Sequence, residues 1–96
     1  MIIEHALLHV RDGETAAFEA AMAEAKPLIA GSPGFGGIEV RPACDEIGLY
    51  LLIVHWADIA SHRDGFRQLG RYQAWRALLH HFYEPMHHVS YFGECL

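Results

Sequence analysis

The sequence predicts an α+β domain in which two helices cover one face of a four-stranded antiparallel sheet. Its 96 residues are enough for one domain with one core, and 52% of them are hydrophobic, which excludes a disordered chain. Strand-like and helix-like periodicities follow each other in the order strand, helix, strand, strand, helix, strand. Two half-units of this kind give the ferredoxin-like arrangement, so we expect residues 1–96 to form a single domain.

The first half of the chain contains three of these elements. Residues 2–10 are rich in Ile, Leu and Val and end at a turn, which predicts a strand. Residues 14–30 predict a helix, with Asp12 as the cap of its first turn and Pro27 as a kink or break near its end. Its apolar stripe consists of Phe18, Ala21, Met22, Ala25, Leu28 and Ile29. A second strand follows at residues 35–43, weakened by two glycines.

The third strand, residues 49–56, is apolar on both faces. One face consists of Leu49, Leu51 and Ile53, and the other of Tyr50, Leu52, Val54 and Trp56. Helices on one side of the sheet would cover only one of these faces. A large bare apolar patch is unfavourable in a monomer, so we expect two sheets to associate face to face in a homodimer.

The second half of the chain predicts two helical stretches and a final strand. Asp58 is a candidate cap for a short helix that Gly70 interrupts. One side of this helix consists of Ile59, His62, Phe66 and Leu69. Residues 71–82 predict a second helix that Pro85 ends, and residues 88–93 the last strand. The stripe of the second helix is Tyr72, Trp75, Leu78, Leu79 and Phe82.

Charge and cysteine content exclude several classes of protein. The net charge is −5 and the seven basic residues are dispersed, which argues against nucleic-acid and anionic-membrane partners. The longest apolar run, residues 49–54, is too short for a membrane span. Cys44 and Cys95 make no disulfide framework, so we expect a reduced cytoplasmic protein, with a single bridge as the alternative. No phosphate-binding loop or dinucleotide fingerprint is present, so no nucleotide cofactor is predicted.

Three residues near the end of the third strand are candidates for one cavity. Trp56 ends that strand, and His62 and Phe66 lie four residues apart on the following helix, so both can face the sheet. Such a lining suits a flat aromatic ligand. In the alternative interpretation the two aromatic rings belong to the core and His62 satisfies a buried backbone group.

Trp75 belongs to the apolar stripe of the second helix, and Arg76 directly follows it. Arg76 can therefore flank the same pocket. A guanidinium group in that place can stabilise a phenolate or a developing oxyanion. A solvated arginine or a surface ion pair is the structural alternative.

Eight histidines are the unusual feature of the composition. His80 and Glu84 have the spacing of metal ligands on a helix, but no third ligand accompanies them. A polar helix end is the preferred interpretation, and no metal site is predicted. His5 and His9 share a face of the first strand but lie about 13 Å apart, too far to hold one metal ion, so we expect them at the dimer interface.

The whole pattern resembles the antibiotic biosynthesis monooxygenase (ABM) domain family. The resemblance covers about residues 2–92. Its motifs are Ser32-Pro33-Gly34-Phe35, Trp56 at a strand end, His62, Phe66-Arg67, Tyr72-Gln73-Ala74-Trp75-Arg76, a later proline and a final strand that contains Tyr91. The resemblance implies a ferredoxin-like fold that pairs into a dimeric α/β barrel.

The quinone-forming members of that family oxidise hydrophobic phenolic or polycyclic molecules with O2 and without flavin, haem or metal, so the resemblance implies no cofactor. Trp56 and Arg76 match two functional positions of those enzymes, while His62 stands where they use Tyr and Leu52 where they use Asn. We therefore expect His62 to take the phenolic proton and Arg76 to stabilise the anion. The expected pocket walls are Trp56, Leu52, Phe66, Tyr72 and Trp75.

Two other functions are alternatives. Haem-degrading members of the family use an Asn on the first strand and a Trp and a His on later helices. The matching places here are Ala6, Phe66 and a position near Arg76, so that route is not expected, although a haem-binding relative of different geometry is an alternative. The other is a non-catalytic dimeric domain that binds a small ligand.

Overall fold

Four antiparallel strands form one sheet in which β1 and β3 lie side by side at the centre. The computed structural model describes residues 1–96. The strands are β1 Ile2–His9, β2 Phe35–Pro42, β3 Leu49–Trp56 and β4 Val89–Phe92. Their order across the sheet is β2-β3-β1-β4, which confirms the predicted ferredoxin-like topology.

Two α-helices contact each other and pack against the sheet. They are α1 Thr15–Ala30 and α2 Gly70–Leu79. The stripe predicted for α1 faces the core, because its buried residues are Phe18, Met22, Ala25 and Ile29. This spacing of three and four residues places one face of the helix against the sheet.

The chain between β3 and α2 differs from the short helix predicted there. It forms a π-helical turn at Ser61–Gly65 and a 3₁₀ turn at Phe66–Gln68. The interruption occurs at Leu69, whose backbone is extended, and Gly70 is the first residue of α2. A residue with extended backbone dihedrals cannot continue the helical hydrogen bonds, so Leu69 separates the two segments.

The two predicted helix caps have different outcomes. The prediction that Asp58 is a cap is confirmed, because its Oδ1 accepts a hydrogen bond from the backbone N–H of Ser61 over 2.8 Å. The prediction that Asp12 caps α1 is wrong, because Glu14 is the residue before α1 and no side chain caps that helix. Asp12 lies two residues farther back and outside the capping position.

The two prolines near predicted helix ends also differ from expectation. Pro27 lies inside α1, which continues to Ala30, so it does not break the helix. Only one backbone hydrogen bond is lost there, and the buried stripe on either side stabilises the helix. After α2 a 3₁₀ turn spans His80–Phe82 and Tyr83 is already extended, so the helical region ends before Pro85.

The core lies between the helices and the near face of the sheet. Along β3 every second residue is buried, as expected if the helices cover only one of its two apolar faces. The largest fully buried side chains are Trp56, Phe18, Phe66, Leu8, Ile29, Leu79 and Val54. This packing fixes the end of β3 against the turns that follow it.

The opposite face of the sheet, which we call the open face, is apolar and uncovered in the single chain. Its β3 residues are the half-buried Leu49, Leu51 and Ile53. Leu7 of β1 and Phe92 of β4 extend the patch and are 44% and 52% exposed. The open face is thus a surface on which a partner could pack.

Two further expectations concern the chain as a whole. Cys44 and Cys95 are free and exposed, so the alternative of a bridge between them is not realised. None of the helices combines the length and the apolar character needed to cross a membrane.

Burial on the helix-facing side predicts a matched pair of stabilities. Leu8→Ala removes a fully buried side chain and is expected to lower the free energy of unfolding by about 2–5 kcal/mol. Ile47→Ala removes a side chain that is 95% exposed and should change it by less than about 0.5 kcal/mol. Urea unfolding of both variants measures the difference, and equal effects would contradict the assigned core.

Candidate functional site

One acidic side chain lies on the helix-facing side of β1. Glu4 is only 5% exposed and shares that face with the buried Ala6 and Leu8. Trp56 at the end of β3 donates its indole N–H to Glu4 Oε1 over 2.9 Å. The neighbouring strand therefore holds the carboxylate in place.

His62, in the π-helical turn, lies beside this carboxylate. It is 4% exposed, and its Nε2 is 3.4 Å from Glu4 Oε1. Its ring lies over the indole of Trp56, with 5.5 Å between centroids and 30° between planes. Its Nδ1 is 2.7 Å from the hydroxyl oxygen of Tyr91, a residue that pairs with Glu4 between β4 and β1. Trp56, Glu4, His62 and Tyr91 thus form a continuous polar chain inside the core.

Burial disfavours charge on both members of the Glu4–His62 pair. It raises the pKa of Glu4, although the Trp56 hydrogen bond and the charge of Arg67 act in the opposite direction. Burial, with smaller effects from Arg67 and His87, lowers the pKa of His62 to about 4. His62 is therefore neutral near neutral pH, and the 3.4 Å contact is not an ion pair.

The tautomer of His62 follows from its neighbours. Nε2 lies 3.4 Å from the Glu4 oxygen, and the nearby carboxylate electrostatically favours the tautomer with the ring proton on Nε2. Nδ1 then accepts the hydroxyl proton of Tyr91. In this arrangement Tyr91 orients the imidazole, and the Glu4–His62 pair can accept one additional proton.

A small cavity lies against this pair, between the sheet and the helical segments. Its volume is about 20 Å³, which is room for about one water molecule. Its apolar walls are Ile29, Leu52, Phe66, Tyr72, Trp75, Tyr83 and Val89. Its polar lining consists of Glu4, His62, Arg67, His80 and His87. A mainly apolar space with a few convergent polar groups is typical of small-molecule sites.

Comparison with known proteins agrees with this fold. The family model described as antibiotic biosynthesis monooxygenase matches residues 1–78. This chain belongs to the ABM family. YczJ, an uncharacterized protein of Bacillus subtilis (strain 168), is 39% identical over 94 residues, covering 98% of this chain and 99% of YczJ. The resemblance stated from the sequence is confirmed.

Solved structures show the same ABM fold. A Bordetella bronchiseptica protein, provisionally described as an antibiotic biosynthesis monooxygenase, superposes with a TM-score of 0.93 and 30% identity, covering 99% of this chain and 97% of that one. SnoaB, a cofactor-independent oxygenase from Streptomyces nogalater, gives a TM-score of 0.86 with 19% identity, covering 99% and 93%. At that identity the likeness to SnoaB shows the fold alone.

The structure brings most of the predicted site residues of this ABM protein to one cavity. His62, Leu52, Phe66, Tyr72 and Trp75 all line it. Trp56 does not line the cavity. It is fully buried beside it and positions Glu4 through its indole N–H.

Arg76 is placed differently from expectation. It is exposed on α2 and does not line the cavity, whereas Arg67 does. Trp75 points inward, and the next residue on an α-helix is rotated by about 100°, which turns Arg76 toward solvent. Arg67 instead directly follows the buried Phe66 in the 3₁₀ turn before α2. The arginine beside the ABM cavity is thus Arg67.

Sequence reasoning missed Glu4, although the chain contains a sign of it. Glu4, Ala6, Leu8 and Val10 are spaced two residues apart, so their side chains share one face of the strand. Glu4 is therefore an acid on an apolar face. A buried acid in such a place is rare unless it has partners. Tyr91 and His87 were also missed as site residues, because their positions beside His62 and the cavity depend on tertiary packing.

The remaining histidines do not form a metal centre. No group of three or more His, Cys, Asp or Glu side chains is arranged to hold a metal ion. Glu84, which the spacing paired with His80, instead forms an ion pair with Arg11 at 3.0 Å. His5 and His9 border a groove on the open face of the sheet, away from the ABM cavity.

The buried pair predicts opposite pH effects of two substitutions that each replace a titratable group by an amide. Between about pH 4 and pH 6.5 the unfolded chain binds a proton at His62 that the folded chain does not, so acidification lowers stability. Glu4 has a raised folded pKa, so the folded state binds its proton first and acidification raises stability. When the free energy of unfolding is measured by urea unfolding across this range, its decrease with falling pH should be smaller in His62→Gln and larger in Glu4→Gln. The same dependence of the free energy of unfolding on pH in both variants and in the parent protein would contradict burial of the pair.

Proposed function

We propose that this ABM chain is a monooxygenase that oxidises a hydrophobic phenolic molecule with O2, and that the Glu4–His62 pair takes the substrate proton. The observation that supports the proposal is a buried carboxylate–imidazole pair on the wall of a mainly aromatic cavity. Membership of the ABM family supports the reaction class. SnoaB, which shares the fold, is named a cofactor-independent oxygenase.

The first step is removal of a proton from the substrate. Glu4 lines the cavity, and its raised pKa makes its carboxylate a stronger base than a solvated one. The proton resides on the pair as a neutral Glu4 carboxyl beside neutral His62, since burial disfavours imidazolium. This refines the expectation that His62 acts alone. Arg67 is the cation on the cavity wall that stabilises the substrate anion.

The second step is the reaction of the anion with O2. The substrate carbanion gives one electron to O2, and the radical and superoxide combine into a peroxide anion. The Glu4–His62 pair returns its proton to this peroxide, which loses water to leave a carbonyl group. A CH2 group and O2 thus become C=O and H2O, with all electrons supplied by the substrate. Exclusion of water protects the carbanion from being reprotonated by solvent.

The size of the cavity sets a condition on substrate binding. A volume of about 20 Å³ holds one polar atom of a ligand but no aromatic ring. Entry of a ring requires a cavity wall to move. Two parts of the wall lie outside the α-helices and strands: the short turns Ser61–Gly65 and Phe66–Gln68, and the stretch that contains His80, Tyr83 and His87. We place the opening at the turns Ser61–Gly65 and Phe66–Gln68, which carry His62 and Arg67.

Oxygen uptake tests the proposal directly. Chelator-treated protein is mixed with a panel of anthrone-type phenols, and O2 consumption and quinone absorbance are followed. Glu4→Gln and His62→Gln should each lower kcat by about 100-fold or more, because each removes part of the proton acceptor. Tyr50→Phe is the control, since the Tyr50 hydroxyl bonds Glu19 outside this cavity. Unchanged rates in both site variants would overturn the proposal, and anthrone binding without uptake would favour the ligand-binding alternative.

The two arginines provide a separate prediction about the anion. Arg67→Gln should lower kcat/KM by about 10-fold or more, because it removes the cation beside the cavity. Arg76→Gln removes an exposed side chain and should change kcat/KM by less than about 3-fold. The reverse order of effects would restore Arg76 as the anion-stabilising residue.

We also propose that two copies of the chain pair through the open face. Leu51 lies opposite Leu7 in the β1–β3 register, and Leu7 and Phe92 are 44% and 52% exposed in the single chain. Face-to-face packing of two such sheets buries both patches with twofold symmetry. This pairing leaves the helix-facing cavity of each copy accessible.

Sedimentation velocity tests the pairing. The parent protein should sediment as a dimer, and Leu51→Lys should sediment as a monomer because a charge is introduced at the centre of the patch. Ile47→Lys, in the exposed loop before β3, is the matched control and should stay dimeric. A monomeric parent protein would contradict the proposal.

A further inference from the structure

One polar atom beside the cavity has no partner. His87 Nδ1 is buried and makes no hydrogen bond. Its ring lies 5.4 Å from His80 and 5.2 Å from Tyr83 by centroid distance, so aromatic rings surround it. A buried imidazole nitrogen normally has a partner, and His87 lines two spaces from which one can come, this cavity and the groove beside His5 and His9 on the open face.

Arg67 lines the same cavity and also lacks a protein partner. The close contacts between basic and acidic groups of the chain join Met1 to Glu94, Arg11 to Glu84, Arg41 and His55 to Glu39, the neutral His62 to Glu4, and Arg63 to Asp64. None of them includes Arg67, and no hydrogen bond fixes its guanidinium. Arg67 lines the cavity together with His62, His80 and His87, and its positive charge contributes to lowering the pKa of each.

The charge balance at this end of the cavity favours an anion. Burial, together with Arg67, lowers the pKa of His87, so His87 is a neutral donor and acceptor rather than a second cation. Burial, with His87, Arg76 and Arg67, lowers the pKa of His80 to about 4. Glu4, the acid on the cavity wall, has a raised pKa and is already held by Trp56. Arg67 is exposed and has no ion-pair partner, so it is a cation on the cavity wall that is available to an anionic ligand.

We propose that Arg67 and His87 form a subsite for a carboxylate group of the ligand. One carboxylate oxygen takes the one-water space and accepts the N–H of His87, and the other faces the guanidinium fork of Arg67. The inference rests on the proposed function and narrows its substrate class to phenols with an acidic substituent. The carboxylate lies at the His87 end and the reacting hydroxyl at the Glu4–His62 end.

A pair of isosteric probes tests the subsite without any turnover. Benzoate and the neutral benzamide are titrated into the protein, and the imidazole 15N resonance of His87 Nδ1 is followed by NMR. Benzoate should bind at least about 10-fold more tightly than benzamide and shift this resonance. Equal affinities, no binding of benzoate, or an unshifted His87 resonance would overturn the subsite.

Variants separate the subsite from general charge effects. Arg67→Gln should abolish the preference for benzoate while leaving benzamide affinity unchanged, and it is expected to fold because Arg67 is exposed and unpaired. His87→Asn should reduce the preference while keeping a donor group. Arg71→Gln is the control: Arg71 is exposed and donates a hydrogen bond to the Gly31 carbonyl, and this variant should keep the preference for benzoate. Loss of the preference in Arg71→Gln to the same extent would overturn the subsite.

Different results would reject the carboxylate subsite and the monooxygenase activity. Benzoate preference together with no oxygen uptake on any phenol would retain the carboxylate subsite and reject the monooxygenase. Oxygen uptake on neutral phenols with no benzoate preference would retain the monooxygenase and reject the subsite.

Discussion

The structure of this ABM protein depends on how one carboxylate is accommodated in an apolar core. Burial of an unpartnered carboxylate costs several kcal/mol, so Glu4 persists on the inner face of β1 only with compensating partners. Trp56 supplies a hydrogen bond, His62 supplies a polar contact, and Arg67 supplies a favourable charge. Each partner comes from a different element, so the end of β3, the π-helical turn and the 3₁₀ turn are all positioned around Glu4.

The same constraint gives a reason for the irregular chain after β3. Periodicity predicts a regular helix from residue 59 onward, but the structure has a π-helical turn, a 3₁₀ turn and an extended Leu69. π-helical turns often occur at functional sites, where a side chain must be aimed differently from the regular helical direction. Here the turn holds His62 beside both Glu4 and Tyr91 while Phe66 stays in the core.

The sequence was sufficient for elements whose periodicity is local. The bounds of β3 follow from a segment that is apolar on both faces, and the buried face of α1 follows from a stripe at helical spacing. Arg76 shows the limit of that reasoning, because the edge of a helical stripe does not determine whether a long side chain turns toward the pocket or toward solvent. Glu4, Tyr91 and His87 come from opposite ends of the chain, and no local pattern relates them. Their grouping follows from the β1–β4 pairing, which a single sequence does not encode at short range.

Alternation in β1 links the two faces of the molecule. Glu4, Ala6 and Leu8 face the helices, while His5 and Leu7 face the open side of the sheet, so one strand contributes to both the cavity and the proposed interface. A one-residue slip of this strand would place Glu4 on the open face and a histidine in the core. The eight-residue pairing with β3 makes such a slip costly, because every pair in the register would be lost.

Substrate binding should itself strengthen the proposed base. Glu4 has a raised pKa because it is buried, and the cavity beside it has room for about one water molecule. A ligand that occupies the cavity excludes water from the carboxylate and raises its pKa further. A carboxylate on the same ligand would add a like charge, which raises the Glu4 pKa again, while Arg67 limits the cost of bringing the two acids together. The base would therefore be strongest when a substrate is in place to give up its proton, and weaker in the empty protein.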